Sequence, residues 1–156
     1  MDWLYDLITN PFLITGVSSW FLGQVIKTIL YAIINKKLVL ERMVGDGGMP
    51  SCHSATVASL ATVTGLLRGF NSFEFAVATL LAIIVCHDAM GVRLETGKQA
   101  VIINELRKAF EDLTKEDLPE VKLKEFVGHT PIQVIAGITI GIVNALVMYF
   151  WVFPLF

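Results

Sequence analysis

The sequence predicts an all-α integral membrane helical bundle, and three observations carry that prediction. Hydrophobic residues fill 54% of the 156 positions and mean hydropathy is +0.66, against roughly 45–50% apolar usage in soluble domains. Residues 11–34 and 131–156 form two mostly apolar stretches, each longer than the roughly 20 residues that cross a bilayer. The second carries no formally charged side chain and includes Tyr149-Phe150-Trp151, an aromatic cluster of the kind that sits at membrane–water boundaries.

Taken in order, the chain opens with Asp2 and Asp6 in place of a basic region, and no small-residue cleavage site follows. A cleavable signal peptide is therefore not expected. The span 11–34 comes first. Residues 54–67 and 73–86 are apolar but shorter than a comfortable crossing; counted with the others they give about four membrane helices in one domain, 1–156. Alternating crossings put the loop 35–52 and the segment 88–130 on one face. That face holds Lys36, Lys37, Arg42, Arg93, Lys98, Arg107, Lys108, Lys115, Lys122 and Lys124, while the other holds Arg68. The positive-inside rule makes the first face cytoplasmic, in a bacterial inner membrane or an organellar one.

Segment 88–130 is a cytoplasmic-face insertion. Gln99–Phe110 alternates Val101, Ile102, Leu106, Ala109 and Phe110 with charges, the pattern of an amphipathic helix that lies on the membrane or covers the site. Residues 111–125 are charge-rich and interrupted by Pro119, which reads as a loop. Thr130 is placed to cap the last helix and Pro131 suits its first position. Gly137, Gly141 and Ala145 form a small-residue ladder in that helix, and Ser54, Ala58, Ala61, Thr62 and Gly65 line one side of the second. Such faces allow close approach in lipid; packing within one bundle is favoured over a homodimer interface. Cys52 and Cys86 lie in or beside apolar helices and imply no disulfide. The net charge of −2 gives no reason to expect nucleic acid as a partner.

The chemistry-bearing stretch is Gly47-Gly48-Met49-Pro50-Ser51-Cys52-His53-Ser54. Two glycines permit φ > 0 and close backbone approach, and Ser51 is a natural N-cap. Free N–H groups at a helix start, with an imidazole beside them, suit a phosphate. His129 stands just before the last helix, so both imidazoles are expected in one interfacial layer. A positive potential there keeps His129 neutral and nucleophilic. One histidine to attack phosphorus, another to protonate the leaving oxygen and cations around the phosphoryl oxygens suffice for phosphoester hydrolysis.

Arg93 offers a bidentate phosphate clamp. Lys27 lies inside the first span, where a charge either serves function or snorkels outward. Arg42 meets phosphate or lipid headgroups. Asp88 is expected to pair with Arg93 or Lys98 and orient it. His87 and Asp88 show no tight metal-ligand spacing, and neither a metal nor a cofactor is expected.

These residues resemble the divergent type 2 phosphatidic acid phosphatase-like family, also described as acid phosphatase/vanadium-dependent haloperoxidase-related proteins. The likeness runs over nearly the whole chain. It rests on the run Gly47 to Ala55, on Asp88-Ala89-Met90-Gly91-Val92-Arg93 with Gly97-Lys98-Gln99, and on Gly128-His129-Thr130-Pro131 leading to Val134 and Gly137. It implies a helical bundle that hydrolyses lipid phosphomonoesters or pyrophosphates, of the phosphatidylglycerophosphate or phosphatidic acid class, through a phosphohistidine and without metal. His129 then matches the nucleophile, His53 the general acid, and Arg93 the phosphate-binding arginine; Ser51 and the backbone at Cys52 bind phosphate.

Three departures stand out. Cys52 replaces a glycine, Arg93 lies much farther upstream of His129 than in the wider superfamily, and Gln133 occupies the position of an aspartate four residues after the nucleophile. A carboxylate there would stabilise the imidazolium; loss of a comparable aspartate in a serine protease lowers the rate about 10⁴-fold. A non-catalytic phospholipid or phosphate binder is the alternative, and a metal-dependent enzyme or transporter using His53, His87, Asp88 and His129 is the second.

Overall fold

The computed structural model describes residues 2–39, 43, 47–115, 123–125 and 127–155. Among these residues six α-helices run in the order α1 (Asp2–Ile8), α2 (Pro11–Asn35), α3 (Cys52–Arg68), α4 (Phe73–Met90), α5 (Val92–Thr114) and α6 (Pro131–Val147). A π-helical turn, Met148–Val152, extends α6. Local chemistry sets most of these boundaries. Asn10 Oδ1 accepts the Phe12 and Leu13 N–H groups to start α2. Ser51 and Ser72 do the same for α3 and α4, and Lys36 closes α2 in the left-handed region.

The helices alternate in direction. α3 runs antiparallel to α2: Ser59 Oγ donates to Thr15 O at 3.4 Å, and the Arg68 guanidinium sits 5.7 Å over the Phe12 ring. α6 runs parallel to α3 and almost touches it. A Cβ on Gly137 would collide with Ser51 O, and one on Gly141 with Ala55 O. The glycine ladder is thus consumed inside the bundle, as close packing in lipid requires. Asn144 Nδ2 donates to Ser18 Oγ at 2.9 Å and Ser19 Oγ at 2.8 Å, tying α6 to α2. α4 closes the other side through a small core of Val57, Cys86, Ala89 and Val134.

Among the described residues, three stretches are long and apolar enough to cross a membrane: Pro11–Asn35, Phe73–Thr114, whose apolar part is α4, and Pro131–Val152. The expected count of about four is not reached by that measure, and α3 is the helix that falls short. It has 17 residues, about 26 Å at 1.5 Å per residue, and it is rich in serine and threonine. The reason is its position, enclosed by α2, α4 and α6; lipid-facing apolarity is left to its neighbours. Threonine hydroxyls on α2, α3 and α6 return to their own helices, as in Thr56 to Cys52 O at 2.8 Å and Thr64 to Leu60 O at 2.7 Å, which satisfies them without water. Neither cysteine forms a disulfide, and both are buried.

α5 is longer than the Gln99–Phe110 helix expected from periodicity, because it begins directly after Gly91 and continues to a left-handed cap at Lys115. It rests against the returning chain. Asn104 donates to Leu123 O at 3.0 Å and to Glu125 Oε1 at 2.8 Å, and accepts from Leu123 N at 3.1 Å.

Candidate functional site

One end of the bundle gathers the C-terminal turns of α4 with the N-terminal turns of α3, α5 and α6. Between them lies a cavity of about 250 Å³, lined by Gly47, His53, Ile84, Val85, Asp88, Ala89, Arg93, Val127, Gly128 and His129. The two imidazoles, the arginine and the first glycine singled out in the sequence therefore share one wall. Lys27 reaches the same neighbourhood from α2. It is 6% exposed, its Cγ lies 3.8 Å from where a Cβ on Gly48 would stand, and its charge acts on His129.

His129 is held at three points. Its main-chain N–H donates to Ala89 O at 3.0 Å. Its ring Nδ1 lies 3.2 Å from Gln133 Oε1, and the same oxygen accepts the Thr130 N–H at 3.2 Å. A main-chain donor fixes that atom as the amide oxygen, so Nδ1 must carry the hydrogen and Nε2 keeps the lone pair. The third contact is with the Gly48 main chain. Burial, the largest influence, holds the imidazole below its ordinary value of 6.5. The Gln133 hydrogen bond opposes this, the positive charges of Lys27 and His53 reinforce it, and the Gly48 contact opposes it weakly.

Glycines make the convergence sterically feasible. Gly128 adopts φ +85°, and a Cβ there would collide with the main chain of Leu94 and stand 2.6 Å from the Arg93 carbonyl carbon. A Cβ on Gly97 would lie 2.5 Å from Val127 O. The start of α5 is thus pressed against the segment that delivers His129, and the long insertion between Arg93 and His129 folds back on itself. Arg93 Nε donates to Asp88 Oδ2 at 2.6 Å, the pairing expected from the sequence.

Other expected site residues are placed elsewhere. Ser51 is fully buried; its Oγ accepts from Ser54 N–H and Ser54 Oγ, and its N–H donates to Gln133 O. Its polar atoms cap the start of α3 and tie it to α6. Cys52 is 1% exposed and packs against α2, its Sγ 3.2 Å from where a Cβ on Gly23 would stand. Lys98 turns outward to Glu95 at 2.7 Å, so the cation that Asp88 pairs with is Arg93. Arg42 lies outside the described residues. Ile84, Val85, Ala89 and Val127 are lining residues that the sequence does not single out, for their apolar runs give no sign of which members border a cavity. Among the described residues no group of three or more His, Cys, Asp or Glu side chains is arranged to hold a metal ion.

Comparison with known proteins shows what the chain is similar to. The chain is 39% identical over 155 residues to the "Uncharacterized membrane protein YuiD" of Bacillus subtilis (strain 168), a match covering 94% of this chain and 98% of that protein. No solved structure matches. The model of the Divergent PAP2 family matches residues 8–144, a range that includes every residue lining the cavity, and the chain belongs to that family.

Proposed function

We propose that the whole chain, as one domain with 88–130 as an insertion, is a lipid phosphatase working through a phosphohistidine. The observation that carries this reading is the meeting of His53, His129 and Arg93 on one cavity. His129 Nε2 attacks phosphorus while Gln133 holds Nδ1–H, and the phosphorus–oxygen bond to the lipid breaks. His53 delivers a proton to the departing alkoxide. His53 then takes a proton from water, whose oxygen displaces His129 and releases inorganic phosphate. Arg93, oriented through Nε by Asp88, offers its terminal nitrogens to the phosphoryl oxygens. Lys27 and the Gly47–Gly48 backbone complete the electrostatic cradle.

Substrates of the phosphatidylglycerophosphate or phosphatidic acid class suit a cavity whose wall includes Ile84, which is 64% exposed on α4. The excess of basic residues at this end supports a cytoplasmic-facing site. The test is phosphate release from either lipid in vesicles by the purified protein. Activity is expected in the parent and lost in His129→Ala; equal turnover in both would refute the mechanism. Gln133 favours a second reading, a phosphate or phospholipid binder without turnover, since a neutral amide supplies no charge to an imidazolium. An inert parent that retains vanadate binding, and gains hydrolysis as Gln133→Glu, would select that reading.

A further inference from the structure

We infer that α5 is an in-plane membrane anchor whose bare apolar stripe is seated in the bilayer interface. Ile102, Leu106, Phe110 and Leu113 recur at three- and four-residue steps, with Val92 and Ile103 beside them, and so form one face. All six are half or more exposed, Leu113 reaching 84%. The opposite face is the one the protein covers: Gly97, Ala100 and Asn104 are buried, and they meet the returning segment at Val127 and Leu123. Among the helices, α5 makes substantial contact with α4 alone.

The occupant of the stripe follows from continuity. Gly91 alone separates α5 from α4, and at φ −99° and ψ −98° it breaks the helix there. α4 belongs to a stretch apolar enough to cross the membrane, with exposed Ile83 and Ile84 near its end. With no linker, α5 cannot leave the surface at which α4 emerges. A helix of 23 residues with segregated faces is of the length and pattern that lies among lipid headgroups, apolar side down. The polar side mixes Glu105, Lys108 and Asp112. Burial of apolar area, not attraction to anionic lipid, is what holds it.

This inference is independent of catalysis, although Arg93 stands in the first turn of the anchored helix. The test is site-directed spin labelling of the full chain in zwitterionic vesicles. Leu106→Cys and Leu113→Cys report the stripe, Glu105→Cys and Asp112→Cys the polar side; the buried native cysteines serve as the background, checked on the parent. All four positions are chosen on the outer surface, and Phe110→Cys with Lys108→Cys forms a replacement pair if a variant misfolds. Collision with oxygen relative to a water-soluble nickel chelate should be several-fold higher at the stripe. Equal nickel access at all sites would overturn the inference. So would shielding of the stripe from both agents with spin–spin broadening, which would mean that a second copy covers it.

Discussion

Gly141→Ala tests the closest contact in the bundle. A methyl group there would collide with Ala55 O and stand 3.0 Å from both Ala55 C and Ser59 N. Ordinary contact begins near 3.5 Å, so α3 and α6 must part locally by roughly 1 Å. Overpacking of that kind costs about 1–3 kcal/mol, equivalent to a fall in Tm of about 2–4 °C per kcal/mol in a chain of this size. Both helices lead to the site, α3 through His53 and α6 through His129. A displacement of about 1 Å there lowers turnover on the order of 10²-fold. The matched control is Gly16→Ala, whose added methyl would meet only Thr56 Cγ2, at 3.8 Å, and which gains helix propensity. Thermal unfolding in detergent and phosphate release are measured for all three proteins. If Gly141→Ala melts within about 1 °C of the parent, or Gly16→Ala proves the worse of the two, the packing described for α3 and α6 is refuted.

Four further outcomes are expected. His129 is held below its ordinary 6.5, so as pH falls the unfolded chain takes up that proton first. Its contribution to stability is therefore full above 6.5 and lost as pH drops toward the folded-state value; Tm followed over about pH 5 to 7.5 should fall on acidification, less steeply in His129→Gln. Arg93→Ala should lower kcat on the order of 10²- to 10³-fold, the usual cost of one oxyanion donor, and Arg93→Lys should recover part of it. Gln133→Glu keeps the acceptor for Thr130 N–H and adds a charge beside Nδ1. The acidic limb of the phosphate-release profile should move to higher pH as the imidazolium is stabilised. Asn104→Ala strips both partners from the Leu123 main chain, a local loss of about 1–3 kcal/mol that hydrogen exchange should register as faster exchange of the Leu123 amide.

Helix starts are legible in the sequence because their causes are local. Ser51, Thr130 and Pro131 stand where the caps are, and each acts on atoms within three or four residues. The pairing of Asp88 with Arg93 is legible for the same reason. The limits of α5 are not, since its buried face is polar and small, and Asn104 looks like a solvent residue until the returning segment is known. The glycine-rich motif that locates His53 does not tell how the Ser51 and Cys52 side chains pack. Position in the motif says nothing about which way each side chain faces, and α6 claims the space beside Ser51. The membrane count stumbles on α3, because a central helix is apolar only as far as its neighbours require. Convergence of His53 with His129 follows from alternating crossings; the glycine contacts that bring Arg93 to them, at Gly97 and Gly128, need three dimensions.

No single helix owns the cavity. His53, Asp88, Arg93 and His129 are supplied by the ends of different helices, so the pocket exists only while all of them are docked. An oxyanion lodged there acts as a keystone: it binds the assembled arch and has nothing comparable to grip in the separated stones. Ligand at one hundred times its dissociation constant should raise the stability of the entire bundle by about 2.7 kcal/mol. Melting temperature in the presence of vanadate thereby becomes a gauge of the site that requires no turnover at all.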